Sequence, residues 1–249
     1  MRRCAKVILL CSSALVSLGK AHGQEIAAAD TTAADTIVVT GNRVEGFAVT
    51  YATLATKTDT PLIDTPQSVQ VISNAVIKAM GATDLYDVVR NVSGVTRRAS
   101  YWGQNTATFN IRGFDLDNEN GYLKDGLRYF AEGTVVLGNV DHVEILKGPA
   151  SVLYGRAQPG GIANMVSKMP SAKFSGGVEL AAGRWNSYSI NADINGTLNG
   201  SETLVARIDA EYDEADSFRD TVWNKTLMLA PQLLWKPDQN TLIDRKSVV

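Results

Sequence analysis

Hydrophobic and polar residues keep two different rhythms in this chain. From Pro170 onward, segments of about ten residues alternate apolar with polar and are separated by turn residues. The clearest has Leu204, Ala206, Ile208, Ala210 and Tyr212 on one face and Val205, Arg207, Asp209, Glu211 and Asp213 on the other. This periodicity predicts strands over 174–183, 187–198, 203–214 and 224–236, near the ~9–11 residues that cross a bilayer when tilted. A soluble sheet can also alternate; strand length and rhythm favour membrane strands. The connections Asn199-Gly200-Ser201 and Pro237-Asp238-Gln239-Asn240 are tight and polar, whereas Asp213–Thr221 is longer and acidic. Short turns on one side and longer loops on the other are the habit of outer-membrane barrels. Tyr212 and Trp235 fall near strand ends, where aromatic girdles lie. Pro231 removes a ladder donor inside the fourth strand and predicts a bulge.

Between Pro61 and Lys168 the rhythm is mixed, as in a compact α+β unit. Strands are predicted at Ser68–Ile72, Phe109–Arg112, Tyr122–Lys124, His142–Leu146 and Ile162–Ser167. Helices are predicted at Ala75–Met80, at Asp84–Val92 with Thr83 as its cap, and from Pro149 to Tyr154. Asp125-Gly126 reads as a hairpin turn. Two connections, Arg97–Ala107 and Tyr129–Gly138, are long and rich in aromatic and polar residues.

The N-terminus adds an address. Arg2, Arg3 and Lys6 precede an apolar run, Val7–Gly19, and Ala21-His22-Gly23 offers small residues where signal peptidase reads, so cleavage before Gln24 is expected. Cys4 and Cys11 lie inside this segment, which leaves residues 24–249 without a thiol, a disulfide or a cysteine metal site. Loss of residues 1–23 leaves 20 basic against 26 acidic residues, a net charge of −6 that argues against a nucleic-acid partner. No apolar run beyond the signal is long enough for a spanning helix. Residues 24–35 read as disordered. Asp35-Thr36-Ile37-Val38-Val39-Thr40-Gly41 then stands alone as a β-favouring segment, either the first strand of the next unit or a strand offered to another protein's sheet edge.

Several short motifs occur in a fixed order: Asp64-Thr65-Pro66-Gln67-Ser68-Val69, Asn110-Ile111-Arg112-Gly113-Phe114, Leu123-Lys124-Asp125-Gly126-Leu127-Arg128, and Val143-Glu144-Ile145-Leu146-Lys147-Gly148-Pro149-Ala150-Ser151-Val152-Leu153-Tyr154-Gly155. Pro159-Gly160-Gly161 and Asn164-Met165-Val166-Ser167-Lys168 complete the set. Together they resemble the plug of TonB-dependent ferric-siderophore receptors. The resemblance implies an α+β plug followed by the first strands of a truncated antiparallel transmembrane β-barrel, in an outer-membrane, monomeric receptor surrounded by lipid. It implies a signal peptide over 1–23, a flexible N-terminus over 24–60 holding a TonB box at 35–41, a plug over 61–168 and barrel strands over 174–243. By the same resemblance TonB pairs with Asp35–Gly41 as an added strand, the ExbB–ExbD motor supplies the pull, and Arg112 and Lys147 contact carboxylates of the barrel wall.

Ligand contacts implied by position around the Arg-Gly-Phe motif are Arg98, Ser100, Tyr101, Trp102, Gln104, Phe114, Asp115, Tyr129 and Phe130. Aromatic faces, an arginine and amides suit a large ferric chelate. Iron stays inside the siderophore, so no cofactor or protein metal site is expected. Receptors for haem, cobalamin or carbohydrate, and a soluble periplasmic β-rich binding module, are the alternatives. Haem capture commonly uses a histidine, and His142, the only one after residue 23, begins an interior strand. No Ser/His/Asp set accompanies that histidine, so enzymatic function is not expected. Thr241-Leu242-Ile243 would start a fifth strand, short of the about eight a single-chain barrel needs and of the roughly twenty-two the resemblance implies. Asp244-Arg245-Lys246-Ser247-Val248-Val249 breaks the alternation and is what the common sequencing-adapter stretch GATCGGAAGAGCGTCGTG encodes; a non-native tail over 244–249 is expected.

Overall fold

The computed structural model describes residues 46–98, 108–116, 119–131, 135–200, 202–217, 220–238 and 240–246. The expected signal peptide and the expected TonB box, Asp35–Gly41, lie outside these residues. The first described element is a small antiparallel hairpin, β1 (Tyr51–Ala52) with β2 (Thr60–Pro61). A tether flexible through Thr60 is therefore not what is found: Ala52, Leu54 and Ala55 are buried, because this segment carries apolar side chains that the underlying sheet can cover.

Strand β3 (Ser68–Ser73) runs into helix α1 (Asn74–Ala79), whose first turn is capped by the Ser73 hydroxyl accepting from the Val76 amide at 3.3 Å. Helix α2 (Leu85–Val89) buries Leu85, Val88 and Val89. Its cap is Asp84, accepting from the Asp87 amide at 2.7 Å, and not Thr83, whose hydroxyl instead meets the Asp87 carboxylate at 3.3 Å. The cap falls one residue later than expected because a carboxylate beside the positive helix terminus is favoured over a hydroxyl. Then come β4 (Val95–Arg97), β5 (Phe109–Ile111) and β6 (Phe114–Asp115), which form a three-stranded sheet of their own. The remaining elements of this region are β7 (Tyr122–Lys124), β8 (Leu127–Arg128), β9 (Val140–Lys147), helix α3 (Ser151–Tyr154) and β10 (Gly161–Ser167).

Strands β3, β9, β10, β7 and β8 line up in that order in one mixed sheet; only β10 and β7 are parallel. Asp125 and Gly126 both take positive φ, +51° and +77°, the conformation that a two-residue hairpin between β7 and β8 requires. One face of the sheet carries the main core, where α1 and α2 meet Val143, Ile145, Ala163 and Met165, and Phe109 packs edge-on against Tyr122 at 5.7 Å. The other face carries a smaller cluster of Leu54, Ala55, Leu123, Leu146, Ala150 and Ile162. Gly160-Gly161 lies where backbones close in. A Cβ at Gly160 would stand 2.2 Å from the Ile111 carbonyl oxygen, and one at Gly161 2.1 Å from that of Leu146.

After this plug-like unit the chain forms an antiparallel meander: β11 (Ser175–Gly183), β12 (Ser187–Thr197), β13 (Leu204–Asp216), β14 (Trp223–Trp235) and β15 (Ile243–Lys246). Cross-strand register sorts the residues by face. Exposed Val178, Ile190, Ile194, Ile208, Leu227, Leu229 and Leu233, with half-buried Ala210 and Tyr212, form a continuous apolar band on one side. Asn195, Asp193, Arg207, Asp209 and Gln232 face the opposite, plug-covered side. Apolar outside and polar inside is the arrangement of a strand wall in lipid. No helix among the described residues is long and apolar enough to cross a membrane. Pro231 pairs with Ile208 and the register runs through it without a shift, so the expected bulge is absent and the strand loses one donor only. Asp244, Arg245 and Lys246, expected to begin a tail, pair with Leu234, Leu233 and Gln232. Their backbone can join the open edge of β14 whatever their side chains.

Candidate functional site

Two of the three groups of residues that carry functional expectations, the ligand contacts and the wall contacts, have members among the described residues. Of the nine expected ligand contacts, Ser100, Tyr101, Trp102 and Gln104 lie outside the described residues. Arg98 and Asp115 are brought together: the three-stranded sheet sets their side chains 3.1 Å apart as an ion pair. Thr108 fixes the approach, since its hydroxyl donates to the Arg98 carbonyl at 3.2 Å and its carbonyl accepts the Arg98 amide. Phe114 stands beside this pair with about half its surface exposed. Tyr129 and Phe130 follow β8 in the other sheet; Tyr129 is half-buried against the main core, and Phe130 is exposed. The Lys124 ammonium sits 5.9 Å from the centre of the Tyr129 ring.

Arg112 takes a positive φ of +53° at the tip of the β5–β6 turn, and its guanidinium lies against Gly148. Lys147 reaches the Ser93 hydroxyl at 3.0 Å, the Ser93 carbonyl at 3.3 Å and the Gln70 amide oxygen at 3.4 Å, all within the plug. Among the described strands, the attachment to the wall runs through other residues. Lys168, just past β10, is 2.9 Å from Asp209 and 3.6 Å from Asp193, and donates to the Gly138 carbonyl at 2.6 Å. Arg207 pairs with Asp193 and, at 3.2 Å, with Asp209, and donates to the Met169 carbonyl at 3.4 Å. Two cations and two carboxylates, with Asp193 at the half-exposed edge, thus close a network in which the charges balance, the condition under which burial is tolerated. Asn195 extends it by accepting the Ser171 amide at 2.7 Å and donating to the Lys173 carbonyl at 2.8 Å.

A second buried polar cluster lies within the plug. Glu144, fully buried at the centre of β9, accepts from the Thr53 amide at 2.8 Å and from Asn164 at 3.1 Å. His142 stands beside it, with Nε2 3.6 Å from Glu144 and Nδ1 2.8 Å from Asp141. Burial opposes the charged imidazolium, but hydrogen bonds and charge from Asp141 and Glu144 outweigh it and raise the His142 pKa to about 9. Burial likewise opposes the Glu144 carboxylate, yet His142, Thr53 and Asn164 together hold its pKa below the ordinary value.

A plug sheet clamped to the polar face of membrane-length strands is now joined by one further observation. The family model of the TonB-dependent receptor plug domain matches residues 61–162. This chain carries the plug domain of the TonB-dependent receptors. It is similar to the ferrioxamine B receptor of Salmonella typhimurium, at 33% identity over 224 residues, covering 87% of this chain and 31% of that protein. It is similar to the metal-pseudopaline receptor CntO of Pseudomonas aeruginosa, at 30% identity over 207 residues, covering 82% of this chain and 29% of that protein. Among solved structures, the pyoverdine outer membrane receptor FpvA of Pseudomonas aeruginosa, bound to pyoverdine, superposes with a TM-score of 0.74 at 26% identity, covering 81% of this chain and 30% of that one. The chain spans under a third of the length of these relatives.

Sequence reasoning missed the Lys168–Asp193–Arg207–Asp209 network as a network. Lys168 closes one of the plug motifs, and Arg207 and Asp209 fall on the polar face of their strand. What the sequence lacks is any mark that residues 14 to 41 positions apart share one buried site.

Proposed function

We propose that the full-length receptor takes up ferric siderophores across the outer membrane, driven by TonB and the ExbB–ExbD motor. One observation carries this reading most: the plug sheet is clamped, through Lys168 and Arg207, to the polar face of strands whose other face is a continuous apolar band. A plug so held closes a lumen, and a closed lumen needs an energised release. The relatives are named for ferrioxamine B, metal-pseudopaline and pyoverdine, all chelators of metal ions, which supports a ferric siderophore as the ligand. In this reading Arg98, Asp115, Phe114, Tyr129 and Phe130, with Ser100, Tyr101, Trp102 and Gln104, form the ligand surface. Asp35–Gly41 is the TonB box, Arg112 and Lys147 meet carboxylates on wall strands beyond Lys246, and residues 1–23 are cleaved on export. The receptor acts as a monomer in outer-membrane lipid, and iron remains within its chelate. His142 is not a haem ligand, since both ring nitrogens are engaged by carboxylates.

Uptake by cells expressing the full-length receptor tests this directly, using ferric hydroxamate, catecholate and mixed-ligand siderophores beside haem and cobalamin. Receptor-dependent accumulation of iron from at least one siderophore is expected. Accumulation from haem or of cobalamin alone would overturn the ligand assignment.

A further inference from the structure

Residues 50–62 form a loop closed upon itself before the plug sheet begins. Its two strand pairs are supplemented by the Leu62 amide donating to the Thr50 carbonyl and the Lys57 amide donating to that of Thr53, each at 2.8 Å. Hydroxyls of Thr56, Thr58 and Thr60 bond among themselves at 2.8 to 3.1 Å. What ties this loop to the sheet is a short list. The Glu144 carboxylate accepts the Thr53 amide at 2.8 Å and its hydroxyl at 3.2 Å; the Tyr154 hydroxyl donates to the Leu54 carbonyl at 2.8 Å; the Lys57 ammonium lies 4.9 Å from the centre of the Tyr154 ring. Leu54 and Ala55 enter the smaller apolar cluster. Beside these contacts an open cavity of about 360 Å³, lined by Thr53, Lys57, Asp125, Tyr154 and Asn164, leaves one flank of the loop without packing.

We propose that residues 53–57 are a strap, latched on Glu144 and Tyr154, that opens as a separate unit before the plug sheet does, with Glu144 as its positioning residue. The asymmetry of the contacts argues for this order. β9 is held by six residue pairs to β3 and seven to β10, a ladder buried on both faces. The strap rests on Leu54 and Ala55 in the smaller cluster, and its strongest polar tie is a charge-assisted bond from a single amide. A segment with few buried contacts and an unpacked flank opens at lower free energy than the sheet beneath it. Tension arriving from the N-terminal side would load the open end of the β1–β2 hairpin and part its bonds one after another. The strap's place in transport rests on the function proposed above; its separate opening does not.

Hydrogen–deuterium exchange on the full-length receptor, without ligand or TonB, tests the strap. In wild type, amides of 51–57 should exchange faster than those of 161–167 in β10. Tyr154→Phe removes one hydroxyl and no ladder bond, and should speed exchange over 51–57 by roughly fivefold, the worth of one hydrogen bond, while 161–167 keep their rates. Glu144→Gln weakens the charge-assisted bond and should act in the same direction on 51–57. Equal wild-type exchange in the two segments, or a Tyr154→Phe variant that leaves 51–57 unchanged or speeds both alike, overturns the proposal. Such a failure would leave uptake untouched, and a failure of uptake would leave the exchange pattern standing.

Discussion

Replacing Lys168 with methionine isolates the attachment between plug and wall. The side chain keeps its length and apolar stem and loses its charge. The lost contacts are the 2.9 Å pair with Asp209, the 3.6 Å pair with Asp193 and the 2.6 Å bond to the Gly138 carbonyl. Asp209 has only 2% of its side chain exposed, so water does not replace the ammonium. Breaking one partner out of a buried pair costs about 3–5 kcal/mol, and the remaining Arg207–Asp209 contact at 3.2 Å reduces this, to about 2–4 kcal/mol. Lys78→Met is the matched control: its 3.4 Å pair with Glu179 of β11 also joins plug to wall but is exposed, and its cost is about 1 kcal/mol or less. Urea unfolding of the plug in the purified full-length receptor, followed by protease susceptibility of residues 61–168, gives both values. Asp209→Asn added to Lys168→Met should recover part of the loss, because it removes the stranded charge. If Lys168→Met costs no more than Lys78→Met, the Lys168 network does not hold the plug.

Two further outcomes follow from the plug's interior. Gly160→Ala would drive a Cβ to 2.2 Å from the Ile111 carbonyl and 2.8 Å from the Phe114 Cβ, parting β10 from the β5–β6 turn. Expressed receptor should carry a protease-sensitive plug, and wild-type resistance in that variant would contradict the packing. The His142–Glu144 cluster predicts a pH profile. The folded pKa of His142 is raised from 6.5 to about 9, so its contribution is complete below pH 6.5 and is lost as pH rises through about 9. That contribution is at most about 3 kcal/mol. Glu144 is depressed, so its share is present above its ordinary pKa and is lost as pH falls through the lower folded value. Denaturation midpoints of the plug should therefore fall on both sides of pH 5–6, and His142→Gln should flatten the alkaline side; an unchanged alkaline slope in that variant would contradict the assignment.

The wall strands were legible because the bilayer imposes one rule on every residue. Leu204–Tyr212 alternates as a solvent boundary demands, and the observed strands end within two residues of those expected. Short-range chemistry was legible too: Asp125-Gly126 turns as a hairpin. What failed was set by distant partners. Nothing local to Thr53 reveals that Glu144, 91 positions away, holds its amide, so the stretch before Pro61 read as slack. Lys147 and Lys168 look alike as sequence, yet one meets a serine and the other two carboxylates across the plug boundary. Pro231 predicted a bulge because a missing donor is a local fact, whereas the neighbouring pairs that hold the register are not.

The central claim is that this plug belongs to a receptor that moves its ligand only when TonB pulls on Asp35–Gly41. Val38→Pro in the full-length receptor removes one backbone donor from that segment and leaves the plug and ligand surface as they are. Binding and uptake of the same radiolabelled ferric siderophore, measured side by side in wild type and variant, test the claim most directly. Unchanged binding with uptake reduced to the level of a strain lacking TonB is the predicted result. Normal uptake by the Val38→Pro receptor would contradict it.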